Sequence, residues 1–336
     1  MLNLSSSNHY SLPIQGNVAL PAHFPLKHGG TVSDGKVAYS IYGDLQQPTV
    51  LILGGISASK DVAHKSGDYS SGWWDSFVGS EQVINTREYS VLSIDYLGGN
   101  GASSNPNADV GTPEGAVSTS DQARALAIVL NQLNISQLFA AIGSSYGGMV
   151  ILSLLQQYPE LTQQALVISA ADKAHPQSSG LRFIQRQIVQ ECGAEKGLAL
   201  ARALAMITYR SPEEFEQRFG AYELNPAKHF SNDLTSYLLS RGRSFAECFN
   251  SDAFLRLSES IDLHRVDASK IETPLTCISV VSDQLIPAHT IKHMAQKCGA
   301  NFQSIDSLYG HDAFLKETEK LNVILHSFLA NQETNL

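Results

Sequence analysis

The chain has 336 residues, 43% of them hydrophobic and 16% charged, which allows one large core or a core domain carrying a smaller insertion. No run approaches the roughly 18 apolar residues that a membrane-spanning helix needs. The net charge of −9, with no cluster of lysine or arginine, argues against nucleic acid as a partner, because an acidic surface repels phosphate.

Residues 1–17 lack the basic and continuous apolar segments of a secretion signal, and residues 1–30 are expected to form a loosely structured lead-in. The first half of the chain then alternates short β-rich runs with helical patterns. Strands are predicted over residues 37–42, 49–53 and 90–95, the second ending in Gly54-Gly55 and the third closed by Gly98-Gly99-Asn100-Gly101. Residues 119–133 place Ala123, Leu126, Ala127, Leu130 and Leu133 on one helical face, with Ser118, Thr119, Ser120 and Asp121 at the start. A strand over 138–142, a helix over 149–157 stopped by Pro159, and a strand over 165–169 follow. Continuous apolar strands alternating with helices point to a parallel sheet covered on both faces.

From about residue 174 to 270 the pattern is helical, with helices over 181–189, 197–209 and 212–219. The β signal returns at 275–281, then a helix near 290–297, a strand over 302–305 and a closing helix near 317–329. The economical reading is an α/β core in two parts, 31–173 and 271–332, with a helical lid, 174–270, inserted over the strand ends.

Gly143-Ser144-Ser145-Tyr146-Gly147 matches G-x-S-x-G and lies between a predicted strand and a predicted helix, where the α/β-hydrolase fold places its nucleophile. Ser145 is therefore the expected nucleophile. A serine hydroxyl needs a base and the base an orienting acid. Asp283, after the strand over 275–281, and His311, after the strand over 302–305, come in the expected order, and Asp306 is the competing acid. The oxyanion hole is expected from the backbone N–H groups of Tyr146 and Ile56. His289 and His293 have metal-pair spacing but no third ligand, so no metal is expected. Gly98–Gly101 lacks the spacing of a dinucleotide loop, and Trp73-Trp74 either walls a pocket or packs under a loop. Cys192, Cys248, Cys277 and Cys298 have no framework spacing and read as buried free thiols of a reducing cytoplasm.

GGISA at 54–58, GWW at 72–74, IDYLGG at 94–99, GSSYGGMV at 143–150, GLALARALAMITYRSPEEFEQRF at 197–219 and GHDAFL at 310–315 together resemble the homoserine O-acyltransferase family. The resemblance implies transfer of an acetyl or succinyl group from acyl-CoA to L-homoserine, in methionine biosynthesis, by a cytoplasmic homodimer whose lids contribute to assembly. It implies no resident cofactor, acyl-CoA being a co-substrate. Arg202 matches the arginine expected to bind the amino-acid carboxylate, and Asp312 the acid expected to bind its ammonium. Tyr209 and Arg210 are further candidates for the same channel, and Arg182, Arg186 or Arg210 could meet a succinyl tail. The sequence departs from the family in GSSYGG, where many members have GGSMGG, and in GGISA, where many have a Gly-Leu-Thr-Gly type loop. An esterase or thioesterase using water, a transferase acting on L-serine and a non-catalytic binding protein remain alternatives on the same fold.

Overall fold

The computed structural model describes residues 12–63, 72–220, 227 and 232–330. The lead-in reading for residues 1–11 and the last two positions of the expected core, 331–332, fall outside the described residues. The strands are β1 (Ile14–Ala19), β2 (His23–Pro25), β3 (Thr31–Ser33), β4 (Lys36–Tyr42), β5 (Thr49–Leu53), β6 (Val78–Gly79), β7 (Ile84–Asn85), β8 (Ser90–Ile94), β9 (Ala140–Ser144), β10 (Ala165–Ile168), β11 (Leu275–Val280) and β12 (Asn301–Ile305). The helices are α1 (Thr119–Gln132), α2 (Tyr146–Gln157), α3 (Pro176–Cys192), α4 (Ala194–Tyr209), α5 (Pro212–Phe219), α6 (Asp233–Cys248), α7 (Ser251–Leu263), α8 (Ala288–Cys298), α9 (Ala313–Lys316) and α10 (Thr318–Ala330).

Eight strands make one sheet in the order β1-β4-β8-β5-β9-β10-β11-β12. From β8 to β12 every pairing is parallel; β4 runs antiparallel to both β8 and β1. This is the mostly parallel central sheet of the α/β-hydrolase fold. Alternate residues of the central strands feed two cores, which is why these strands read as unbroken apolar runs. Leu51, Leu53, Ala141 and Val167 face one core with α1, α2 and α8, whereas Val50, Ile52, Ile142 and Ile168 face the other with α10 and Trp74.

Several boundaries differ from the sequence reading: α2 already begins at Tyr146, α3 spans Pro176–Cys192, α6 and α7 have no individually expected counterpart, and two strands differ as well. The lead-in is not loose along its length, because Ile14–Ala19 pairs with β4 as the sheet's edge strand and β2 pairs with β3. Of β1 only Val18 is buried, so an edge strand with mostly exposed side chains carries no apolar alternation to read. Strand β9 begins two residues later than predicted and runs to Ser144, Leu138 making only an isolated bridge to Thr162.

Helices α3 to α7 form the lid, around a small core that includes Leu198, Ala201, Phe245, Phe249 and Phe254. Its two ends meet at the sheet: Lys173 bridges Arg265, and the Val266 N–H donates to the Asp172 carbonyl at 2.9 Å. His264, at the end of α7, anchors this junction. Its Nε2 lies 3.0 Å from the Ala171 carbonyl and its Nδ1 2.8 Å from the Thr119 hydroxyl, which accepts from Ser153 at 2.8 Å. The ring is fully enclosed, and burial pushes its pKa down to about 4.

A histidine held neutral by burial stabilises the fold fully above the unfolded-state value of about 6.5 and loses that contribution as pH falls towards 4. Denaturant unfolding is therefore expected to show about 2–3 kcal/mol less stability from this group at about pH 4.5 than at about pH 7.5. A His264→Gln variant should lose correspondingly less over the same interval. Equal pH slopes for the two proteins would contradict the assignment.

Candidate active site

The turn between β9 and α2 holds Ser145 at φ 51°, ψ −120°, a backbone conformation that L residues rarely adopt. Close packing makes that turn possible. A Cβ on Gly147 would overlap the Leu53 carbonyl at the end of β5, and one on Gly143 would sit 2.7 Å from the Gly147 carbonyl. Both motif glycines are thus required by approach of backbone to backbone. Ser145 becomes the N-cap of α2, its hydroxyl at the positive end of the helix.

His311 and Asp283 converge on this serine from two strand-end loops. Ser145 Oγ lies 2.7 Å from His311 Nε2, and His311 Nδ1 lies 2.7 Å from Asp283 Oδ2. The other carboxylate oxygen accepts the N–H groups of Leu285 at 2.8 Å and Ile286 at 3.0 Å, which fixes the acid's orientation. Burial alone would lower the His311 pKa, but the charge and hydrogen bond of Asp283 outweigh it, and the net shift is upwards. This is a hydroxyl–imidazole–carboxylate relay able to activate Ser145 for attack on a carbonyl. Asp306 is not part of it; it borders an open groove with Lys320, whose ammonium donates to the Asp306 carbonyl.

The relay opens into a cavity of about 130 Å³ between core and lid. Ile56 and Tyr146 line it beside Ser145; Tyr146 opens α2, so its N–H belongs to the first-turn donors that a helix leaves unpaired. Arg202 and Tyr209 of α4 line it from the lid, and Asp312 from the core. The Arg202 guanidinium stacks over Tyr209 at 5.1 Å and Phe245 at 4.6 Å, which holds the cation in place, and among the described residues it makes no ion pair of its own. Burial raises the Asp312 pKa, against the opposing pull of Arg210, His311 and Arg202.

The partner of Asp312, Arg210, was legible in the sequence only as a candidate for the channel or for a succinyl tail. Arg210 Nε lies 3.0 Å from Asp312 Oδ2, and its Nη1 3.2 Å from Glu214 Oε1, so the end of α4 is clamped to the residue beside His311. Removing one member of such a buried pair strands the other's charge, at a cost of about 3–5 kcal/mol. Arg182 and Arg186 share the Asp262 carboxylate, each with a 2.7 Å contact, and of these two only Arg182 lines the cavity. The Arg210–Asp312 contact and those of Arg182 and Arg186 with Asp262 carry no sequence signal because they join residues far apart in the chain whose spacing is set by helix packing.

Other sequence candidates fall outside the site. Trp74 is buried and its indole N–H donates to the Phe314 carbonyl at 2.8 Å, while Trp73 donates to the Ser59 carbonyl at 3.0 Å, so the pair packs under a loop. Asn100 in the glycine-rich turn docks the lid, through the Cys248 carbonyl at 3.0 Å and the Asn250 N–H at 2.6 Å. His289 faces His175, and no cluster of potential metal ligands occurs among the described residues. None of the four cysteines lines the cavity; contrary to the expected burial Cys192 and Cys248 are exposed, at or near the ends of lid helices, while burial pushes the Cys277 thiol well up.

Comparison with known proteins gives a consistent pattern. Residues 48–318 match the family described as alpha/beta hydrolase fold. The chain is 32% identical to a homoserine O-succinyltransferase of Xanthomonas campestris pv. campestris, covering 92% of this chain and 83% of that one. It is 29% identical to a homoserine O-acetyltransferase of Moorella thermoacetica, covering 93% and 94%. The structure of a homoserine O-acetyltransferase from Bacillus anthracis superposes with a TM-score of 0.84 at 19% identity, over 95% of this chain and 98% of that one.

The relay makes two linked predictions for acylation of Ser145 by p-nitrophenyl acetate. His311 must be neutral to accept the serine proton, so the rate should fall as pH drops through a midpoint above the ordinary value of about 6.5. Asp283→Asn should lower the rate by about 10⁴-fold and move that midpoint down, since the carboxylate that favours the imidazolium is gone. A midpoint unchanged by the substitution would contradict the coupling.

Proposed function

The chain belongs to the homoserine O-acyltransferase family within the α/β-hydrolase fold, and from that premise we propose that it moves an acetyl or succinyl group from acyl-CoA to the hydroxyl of L-homoserine through an acyl-Ser145 intermediate. The observation that carries this reading is the pair of opposite charges, Arg202 and Asp312, on the wall of the cavity that holds Ser145 and His311. A hydrolase needs no such pair, whereas a free amino acid presents one carboxylate and one ammonium. The planar guanidinium suits the carboxylate and Asp312 the ammonium, which leaves the side-chain hydroxyl to face the base.

In the first half-reaction His311 Nε2 takes the proton of Ser145 Oγ as the oxygen attacks the thioester carbonyl carbon. The oxyanion accepts the N–H groups of Ile56 and Tyr146, the C–S bond breaks, and the CoA thiolate takes the proton from His311. In the second, His311 removes the proton of the homoserine hydroxyl, which attacks the acyl carbonyl. The bond to Ser145 Oγ breaks and that oxygen recovers the proton. Asp283 stabilises the imidazolium in both halves. Water competes for the same intermediate, and the lid's closure over the cavity limits its access.

This chemistry needs no resident cofactor. Phe183, Ile184, Ile207 and Leu239 on the lid helices are exposed apolar side chains, in keeping with a homodimer assembled through the lids. No helix among the described residues is long and apolar enough to cross a membrane, and a cytoplasmic place in methionine biosynthesis accords with the substrates.

The test is CoA release from acetyl-CoA and succinyl-CoA, each with L-homoserine, L-serine or no acceptor. Release with homoserine should exceed release without an amino acid by at least about tenfold, and Arg202→Ala should raise KM for homoserine about 10–100-fold, the worth of one charge-assisted contact. Equal CoA release with and without amino acid would make the protein a hydrolase, and preference for serine would change the acceptor.

A further inference from the structure

The residue after the nucleophile is a tyrosine whose side chain is fully buried, and its phenol is not left alone. Tyr146 Oη lies 2.7 Å from Ser260 Oγ on lid helix α7 and accepts from Gln122 Nε2 on α1 at 3.4 Å. That amide is itself pinned: Gln122 Oε1 accepts the Leu97 N–H at 3.0 Å and Nε2 donates to the Leu97 carbonyl at 2.9 Å. The Tyr146 ring meets the Tyr96 ring edge-on, with centroids 4.8 Å apart and planes at 81°.

Tyr96 completes the link to the opposite wall. Its hydroxyl donates to the Gly54 carbonyl at 2.7 Å, and the same carbonyl accepts the Gly147 N–H at 2.9 Å. Gly54 begins the loop that carries Ile56, and Gly147 ends the motif that carries Tyr146. One carbonyl oxygen therefore joins the two segments that present the oxyanion donors, and its orientation fixes the plane of the Gly54–Gly55 peptide. Filling the space behind a nucleophile requires only apolar bulk, and buried hydroxyls are costly unless matched. Here three polar side chains, from the turn, from α1 and from the lid, are matched to one another, and a fourth, Tyr96 from the loop after β8, is matched to the Gly54 carbonyl.

We propose that Tyr96, Tyr146 and Ser260 are positioning residues that set the spacing of the Ile56 and Tyr146 N–H groups and tie it to lid helix α7. The inference rests on the reading of Ser145 as nucleophile with those two N–H groups as its oxyanion hole. It implies that the lid contributes to transition-state stabilisation through a hydroxyl that touches no substrate. Shifting preorganised donors by a fraction of an ångström weakens a transition state more than a bound ground state.

The experiment is acylation of Ser145 by p-nitrophenyl acetate in the full chain, which needs neither CoA nor an amino acid and so does not depend on the acceptor assignment. Tyr96→Phe, Tyr146→Phe and Ser260→Ala each remove one hydroxyl. Each is expected to lower the acylation rate constant by about tenfold or more, with the substrate saturation constant changed by less than about twofold. Tyr146→Phe combined with Ser260→Ala should be no slower than about twofold below the slower single variant, because both delete one contact. A role in stability alone would lower Tm and leave acylation within about twofold of the parent, and that result overturns the proposal. Fully multiplicative losses in the double variant also overturn it. Absence of any acyl adduct on the parent protein would instead refute Ser145 as nucleophile.

Discussion

The contact between the Leu53 carbonyl and the backbone of Gly147 governs the rest of the site. It lets β9 and β5 lie side by side while the chain reverses into α2, and the reversal holds Ser145 at a positive φ that its neighbours impose. A conformation of this kind costs about 1–3 kcal/mol and persists only where surrounding structure over-determines it. The parallel sheet supplies that determination, with Ser145 N–H bonded to the Ile168 carbonyl of β10 at 2.9 Å and Gly147 N–H to the Gly54 carbonyl. The cavity-facing hydroxyl, the helix N-terminus beneath it and the nearby donors all follow from one tight turn.

The lid is bound to this centre at several separate places. His264 closes its exit against α1 and the segment after β10; Arg210 reaches Asp312 next to His311; Ser260 touches Tyr146, the residue after Ser145. These links are polar and largely buried, so each is stabilising only while both partners remain in place. A lid attached in this way does more than cover the cavity. It brings Arg202 to the cavity that Asp312 also lines, so the hydroxyl–imidazole–carboxylate relay opens beside both a cation and an acid.

Much of the core was legible from pattern alone. The central strands are buried on both faces, so β5 and β8 stand out as apolar runs, and α1 announces itself through Ser118 and Asp121, which form a capping box. Ser145, Asp283 and His311 were legible because each lies at a strand's end in an order the fold dictates. The lid was legible only as helical. Helix α7 buries Arg256, Ser258 and Ser260 among its apolar residues, which blurs the pattern that would have marked it. Edge strand β1 is mostly exposed, and β9 ends in Gly143-Ser144, residues with low strand preference that the nucleophile turn requires. What the sequence could not convey was which lid side chain meets which core side chain, since the Arg210–Asp312 and Tyr146–Ser260 contacts span long stretches of chain.

The central claim is that Ser145 carries an acyl group destined for an amino-acid hydroxyl. Intact-protein mass spectrometry after mixing with acyl-CoA tests it most directly. The account predicts one added acyl group, absent in Ser145→Ala and discharged on addition of L-homoserine with appearance of the O-acyl amino acid. An unmodified protein, or an adduct lost to water at the same rate with and without homoserine, would contradict it.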